Sequence, residues 1–276
     1  MEKLKCRGCF RHCLLGEGRF GFCNGRANIE GRIIAVNYGM VTAIALDPIE
    51  KKPLKKFHPG SKILSIGSFG CNLRCPFCQN YEISMTKLEE AHFRKMTPQD
   101  VADNALRLKE AGNIGVAYTY NEPLIGWEFV KDCASEVKKQ GMKNVLVTNG
   151  CFEPEIIEEV IPFIDAVNID LKAFTPNFYG SIGGDLESVK RSIALFQASV
   201  HVEVTSLIIP GANDSPEEIK ALTSWLASVD KRIPYHITRF FPQYHMQECD
   251  PPDVQTMKNL AELAGEYLET VYLGNC

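Results

Sequence analysis

From Lys62 onward the chain alternates short apolar runs with amphipathic stretches. The runs Ile63–Ile66, Ile114–Tyr120, Asn144–Thr148, Ala166–Leu171, Val200–Ile209 and Tyr235–Arg239 predict strands. The stretches near 98–111, 124–140, 154–161, 185–198, 215–229 and 252–270 carry helical periodicity. Thr97-Pro98 with Asp100 is a helix start, a cap followed by proline in the first turn, and Ser215-Pro216-Glu217-Glu218 repeats it. Gly112 and Gly141 end the helices before them. Six strand–helix units in a row predict an α/β fold with a parallel sheet and helices outside it. Six falls short of a closed eight-fold barrel, so the expected architecture is a partial (β/α)6 TIM-like barrel, with a doubly wound sheet as the alternative. Its chemistry belongs at the C-terminal ends of the strands.

The first sixty residues read differently. Residues 6–25, CRGCFRHCLLGEGRFGFCNG, hold too few apolar side chains to fold by core burial. Two strand-like runs follow, Arg32–Asn37 and Val41–Leu46. They lead into DPIEKKPLKKFHPG, an extended connector, because each proline biases its predecessor away from helix. The expected division is a cysteine-rich extension and connector over 1–60 and the barrel over 61–276.

Hydrophobic residues make up 45% and charged residues 23%, a soluble globular balance. No apolar stretch approaches a membrane span, and Met1 to Lys5 leads into cysteines and not into an apolar signal core, so a cytoplasmic protein without membrane contact is expected. The net charge of -4 disfavours generic nucleic-acid binding. Residues 1–62 nevertheless carry 12 Lys or Arg against 5 Asp or Glu, a basic end that is either a solvated face or a docking face for an acidic partner. Eleven cysteines, seven of them in two tight clusters, point to metal ligands in a reducing compartment. Cys133, Cys151 and Cys249 are expected as buried free thiols.

The first strand after Lys62 runs into GSFGCNLRCPFCQN, where Cys71, Cys75 and Cys78 have the spacing C-x3-C-x2-C. Thiolates are natural ligands of iron–sulfur clusters, and three ligands for a four-iron cluster leave one iron open to bind another molecule. A structural zinc would take a closed set of four. With Phe77 before the last cysteine, this loop resembles that of the radical S-adenosylmethionine (SAM) superfamily. The resemblance implies a [4Fe-4S] cluster whose open iron binds SAM. Reductive cleavage of SAM then gives a 5′-deoxyadenosyl radical that abstracts hydrogen, and an electron donor such as ferredoxin or flavodoxin is implied.

The other strand ends are read in the same light. YTYNEP puts Asn121 and Glu122 where the family carries a Gly-Gly-Glu-type segment, and Glu122 is placed to meet the SAM ammonium. The third strand ends in Thr148-Asn149-Gly150, preceded by Val147 where related activating enzymes often carry Asp. Asp170-Leu171-Lys172 resembles the Asp-Leu-Lys segment of glycyl-radical activating enzymes, which assigns Lys172 to the SAM carboxylate or ribose; a structural ion pair is the other reading. Ser206, Ile208 and Asn213 lie in TSLIIPGANDS, which resembles the strand whose backbone reads adenine, followed by a Gly-x-Asn turn; a turn or helix cap is the other reading. Pro234-Tyr235-His236 resembles the run whose His contacts SAM, with Arg239 beyond it as a substrate or carboxylate contact.

Cys6, Cys9, Cys13 and Cys23, spaced C-x2-C-x3-C-x9-C among glycines, suffice to close a second metal site. Zinc and an auxiliary, electron-relaying iron–sulfur cluster both satisfy the pattern. The order of all these segments is similar to the radical SAM component of AmmeMemoRadiSam systems, which is pyruvate formate-lyase activating enzyme-like. Family members often continue past the final Gly-Asn into another cysteine-containing segment, whereas this sequence ends at Gly274-Asn275-Cys276. The resemblance implies a radical SAM oxidoreductase that acts on a protein or peptide, admitted through the open side of a short barrel. The alternatives are radical modification of a small molecule or of a Memo/AMMECR-type partner, and a metal-binding interaction module without turnover.

Overall fold

Each apolar run after Lys62 becomes a strand in the computed structural model, which describes residues 3–276. The main sheet has eight strands: β1 (Ala43–Pro48), β2 (Lys62–Gly67), β3 (Asn113–Tyr118), β4 (Lys143–Thr148), β5 (Ala166–Asp170), β6 (His201–Ile208), β7 (Tyr235–Arg239) and β8 (Val271–Gly274). Their order in space is their order in sequence. β2 to β8 run parallel, and β1 pairs antiparallel with β2. The sheet ends on β1 and β8 without joining them, so the partial barrel expected from the sequence is the observed fold, with a strand added at each edge. β1 was expected within the extension and is instead an edge of the sheet. β8 occupies the end of the stretch expected to be helical to 270, because the helix Val254–Gly265 stops early.

Helices cover the outer face. Pro98–Arg107, Trp127–Lys139, Pro154–Val160, Leu186–Gln197, Pro216–Asp230 and Val254–Gly265 follow the successive strands. Thr97 and Asp100 form the expected capping box, and the Ser215 side chain accepts from the Glu218 amide. Such caps contribute about 1 kcal/mol each. Val101, Val130, Val137, Ile157, Ile193 and Leu222 from these helices share one core with Leu64, Tyr118, Leu146, Ile169, Val204 and Ile237 from the strands. Cys133 and Cys151 are buried as expected, whereas Cys249 is only half-buried.

The inner face is filled from an unexpected direction. The connector between β1 and β2 crosses it. Ile49 and Leu54 form a separate apolar cluster with Ile63, Ala117, Val145 and Ala166. The Asn168 side chain donates to the Pro53 carbonyl at 2.8 Å, and the Lys55 and Lys56 amides donate to the Glu203 carboxylate at 3.0 and 2.8 Å. Lys55 Nζ lies 4.7 Å from the centre of the Tyr272 ring on β8. The segment expected as an extended connector thus lies across the inner face and reaches from β1 to β8.

The extension, with hairpin strands Arg26–Ile29 and Arg32–Ala35, packs against the loop after β2. Among the described residues, no helix is long and apolar enough to cross a membrane.

Candidate functional site

The C-terminal ends of β3, β4, β5 and β7 and the loop after β2 surround a cavity of about 580 Å3, within the range of sites that take a drug-sized ligand. Cys71, Cys75, Cys78 and Phe77 line it, together with Asn121, Glu122, Asn149, Asp170, Lys172 and His236. Glu50, Lys51, Pro53 and Lys55 of the connector also border it.

The cysteine loop is shaped by close approaches and amide side chains. Gly70 has a φ of +89°, and a Cβ there would sit 2.4 Å from the Cys23 carbonyl oxygen, so only glycine fits. Asn121 Oδ1 accepts from the Ser68 amide at 2.9 Å, while its Nδ2 donates to the Gly70 carbonyl at 3.0 Å. Asn149 Nδ2 donates to Asn72 Oδ1 at 2.8 Å and lies 3.7 Å from Cys71 Sγ. Asn72 donates in turn to the Cys151 carbonyl at 2.9 Å. A buried amide that spends all its polar atoms this way fixes the wall it belongs to.

Burial pushes the Cys71 thiol well above its ordinary value, and Glu122, Cys75 and Cys78 push in the same direction. Cys75 is raised to about 11, again chiefly by burial, with the Lys172 ammonium opposing. Raised thiols such as Cys71 and Cys75 would give up their protons only to a strong electrophile, and a metal centre is one. The trio, open to a ligand-sized cavity, therefore suits a cluster held on three sides. Among the described residues, no group of three or more His, Cys, Asp or Glu side chains closes on a point where one metal ion would be held.

Glu122 is buried, and burial raises its carboxyl to about 7 despite three hydrogen bonds. It accepts from the Leu124 amide at 3.0 Å, Thr148 Oγ1 at 2.8 Å and the Asn149 amide at 2.8 Å. The Glu122 carboxylate thereby joins the ends of β3 and β4. Lys172 Nζ pairs with Asp170 Oδ2 at 2.9 Å. Burial opposes the Lys172 charge, but Asp170 and Cys75 outweigh it and hold the ammonium above its ordinary value. The ion pair is thus real and sits in the cavity wall, which joins the two readings of this segment.

His236 borders the cavity with Nε2 2.6 Å from Glu203 Oε2. Glu203 is missing from the sequence reading. It also meets His201 Nε2 at 2.9 Å, and only the unusual placement of a carboxylate among inward-facing strand positions signalled it.

Four of the expected residues, Ser206, Ile208, Asn213 and Arg239, do not line the cavity. Side chains alternate along a strand, and in β6 it is Thr205 and Leu207 that line the cavity. Ser206 and Ile208 therefore face the helices; Ser206 Oγ donates to the Leu171 carbonyl. Asn213 is a staple: its Nδ2 donates to the Lys172 and Leu207 carbonyls, and its Oδ1 accepts from the Ile209 amide. Arg239 points away from the cavity, and its Nε donates to the Pro252 carbonyl at 2.7 Å. Cys6, Cys9, Cys13 and Cys23 line a second, small cavity of about 20 Å3, with Arg26 and Asn72 in its wall.

The family model described as the radical SAM superfamily matches residues 65–226. An uncharacterized protein of Methanocaldococcus jannaschii, MJ0808, is 38% identical over 278 residues, spanning 99% of this chain and 82% of that protein. Pyruvate formate-lyase 1-activating enzyme of Escherichia coli is 24% identical, over 76% of this chain and 90% of its own length. The crystal structure of a domain of pyruvate-formate lyase-activating enzyme from Bacteroides vulgatus superposes with a TM-score of 0.51 at 22% identity, covering 58% of this chain and 99% of that one.

Proposed function

The chain belongs to the radical SAM superfamily, and from that premise we propose that it abstracts a hydrogen atom from a protein or peptide partner in the manner of an activating enzyme. The observation that carries this reading is the convergence of Cys71, Cys75, Cys78 and the charged groups of three strand ends on one cavity. Membership implies a [4Fe-4S] cluster and SAM. Cys71, Cys75 and Cys78 would hold the cluster. Bound there and reduced, the cluster and SAM supply the radical that takes the hydrogen atom.

The remaining residues bind, orient and exclude water. Lys172, kept charged by Asp170, offers a cation to the SAM carboxylate. Asp170 bonds to Lys172 alone among the described residues, so it is better placed than the thrice-bonded Glu122 to accept from the SAM ammonium. Glu122 instead holds Asn149 and Thr148 against the cysteine loop. Glu203 fixes the His236 ring for contact with the nucleoside. Leu73, Phe77 and Leu207 make the dry part of the wall. A cavity of about 580 Å3 is filled by one ligand of SAM's size. The hydrogen donor must then be presented at the mouth, which a protruding backbone segment does better than a diffusing metabolite.

The test is anaerobic incubation with SAM, reductant and a glycyl-radical protein. A protein-centred radical signal, absent in Cys75→Ala, is expected. Deoxyadenosine formed only with an added metabolite would sink the activating-enzyme reading. One observation favours a second reading, in which a small molecule or a Memo/AMMECR-type partner is modified: Val147 lines the cavity where activating enzymes often carry Asp.

A further inference from the structure

We propose that Arg11, Phe22 and Arg74, on the outside of the loop that carries Cys71, Cys75 and Cys78, form a docking face for an acidic one-electron carrier protein. It rests on the radical SAM reading, because a cluster in that loop is what such a carrier would reduce.

Three observations carry it. The first is charge without counter-charge. Arg11 Cζ lies 3.5 Å and Arg74 Cζ 4.0 Å from the centre of the same Phe22 ring, which is 38% exposed. Two like charges are thereby held on one aromatic side chain. Arg11 Nε donates to the Asn72 carbonyl at 3.0 Å, and its Nη2 to the Gly183 carbonyl. Arg74 Nη1 donates to the Cys71 and Leu73 carbonyls at 2.7 Å each, and its Nη2 to the Phe22 carbonyl. Among the described residues, neither guanidinium meets a carboxylate. A carbonyl satisfies an N–H but leaves the charge unneutralised, and stacked guanidinium pairs are suited to carboxylates of a partner. Exposed Lys3, Lys5, Arg7 and Arg19 add to this field, against Glu17 alone in residues 3–25.

The second observation is position. Arg74 lies between Cys71 and Cys75 in sequence, and Arg11 bonds to the residue after Cys71. Both guanidiniums therefore stand one hydrogen bond from the backbone of the cysteine loop. None of Arg11, Phe22 and Arg74 lines the cavity of about 580 Å3. A partner seated on them reaches the loop from outside and leaves the ligand in the cavity undisturbed. An electron is what the reaction needs from that direction, whereas a protein that offers a C–H bond must face the cavity.

The third observation is the kind of surface. Beside the same loop, the His245 amide donates to the Pro76 carbonyl at 2.9 Å. The Tyr244 ring lies 4.5 Å from Tyr81 and 3.7 Å from the exposed His245. Leu14 and Phe20 of the extension are exposed as well. Arginine, tyrosine and phenylalanine are the residue types enriched at protein–protein interfaces. The net charge of -4 opposes a long polyanion such as nucleic acid. A compact acidic protein matches a local aromatic patch rimmed by cations, and the attraction speeds its encounter.

The step balances simply. The reduced iron–sulfur or flavin centre of the carrier loses one electron, the cluster at Cys71, Cys75 and Cys78 gains it, and no bond or proton changes place.

The test uses the full chain with its cluster loaded, and an acidic plant-type ferredoxin and a flavodoxin as probes. Arg11→Glu alters the stacked pair itself, and Arg7→Glu/Arg19→Glu alters exposed side chains only. Titration calorimetry should show carrier binding that weakens with added salt. Its Kd should rise roughly tenfold in Arg11→Glu and less in the double variant. SAM cleavage driven by the reduced carrier should fall in parallel. The rate driven by titanium(III) citrate and the iron content should match the wild type, which also shows that the variants fold. Binding of neither carrier to the wild type, or equal Kd in the wild type and both variants, would overturn the face. Variants that keep carrier-driven SAM cleavage but lose the radical on a glycyl-radical protein would overturn it in favour of a substrate protein. A carrier that binds here and drives SAM cleavage, with no protein radical formed, would support the face and count against the activating-enzyme reading.

Discussion

Replacement of Glu203 by glutamine is the sharpest probe of how the cavity is built. Glu203 Oε1 accepts from the Lys56 amide at 2.8 Å and His201 Nε2 at 2.9 Å. Its Oε2 accepts from the Lys55 amide at 3.0 Å and His236 Nε2 at 2.6 Å. Each oxygen thus serves one backbone donor of the connector and one imidazole. In Glu203→Gln one oxygen becomes an NH2 group, and whichever way the amide turns, it faces a backbone N–H. One connector amide loses its partner, and the ring beside it must present a lone pair in place of a proton. A buried donor left unpaired costs about 1–3 kcal/mol, and a lost charge-assisted bond about 1.5–3 kcal/mol. We expect a local cost of about 3 kcal/mol, or roughly a hundredfold in the opening equilibrium.

Hydrogen exchange reads that number at the residues concerned. The Lys55 and Lys56 amides should exchange about a hundredfold faster in Glu203→Gln, with little change in the outer helix Pro98–Arg107. Burial alone would raise the Glu203 carboxyl, but His201, His236 and the two backbone amides outweigh it and hold it down to about 2. Its stabilising contribution is therefore whole above the ordinary value of 4.5 and fades as pH falls from there through about 2. Glu203→Gln should flatten the acid limb in that window. Unchanged protection at Lys55 and Lys56, or equal acceleration everywhere, would refute the idea that this carboxylate pins the connector.

Three further outcomes follow from single contacts. Lys172→Met removes the cation opposite Asp170, so the KM for SAM should rise about tenfold or more while kcat changes less, and an unchanged KM would remove Lys172 from SAM binding. Gly115→Ala would place a Cβ 1.8 Å from the Lys143 carbonyl oxygen, backbone that cannot step aside. It should cost at least about 3 kcal/mol, and a melting temperature like that of the wild type would show the strand pair to be more pliant than drawn. Asn149→Ala leaves Asn72 Oδ1 and the Cys151 amide unpaired; iron should then be stripped by a chelator several-fold faster, at a stability cost of about 1–3 kcal/mol.

The parallel strands and their helices were legible because each is written in local signals. The predicted strand Tyr235–Arg239 has the observed bounds, and the capped starts at Thr97 and Ser215 lie where expected. The spacing of Cys71, Cys75 and Cys78 after the first strand singled out the loop that the structure places on the cavity. Side-chain phase was not. In TSLIIPG nearly every position is acceptable on either face, so nothing local says that Thr205 and Leu207 face in while Ser206 and Ile208 face out. β8 was hidden for a related reason. Its four residues follow the helix Val254–Gly265 closely, and its strand character comes from pairing with β7.

The connector was read as extended but not as part of the interior, and its physics explains the site. Lysines and prolines suggest exposure, yet Lys52 is only 3% exposed, paired with Asp47 at 2.8 Å under the Tyr120 ring. Tyr120 Oη donates to the same carboxylate at 2.7 Å, and its φ of +72° ends β3 and turns the chain toward Asn121 and Glu122. A sheet of eight strands that does not close leaves inward polar groups such as Asn168 and Glu203 without neighbours across the barrel. The connector supplies those neighbours from its own backbone: the Pro53 carbonyl for Asn168 and the Lys55 and Lys56 amides for Glu203. A buried polar group costs little only when its partner is fixed, so the segment that closes the gap must itself be rigid. The same segment borders the cavity at Glu50, Lys51, Pro53 and Lys55. It thereby leaves the cavity its opening at the strand ends, beside Asp170 and Lys172.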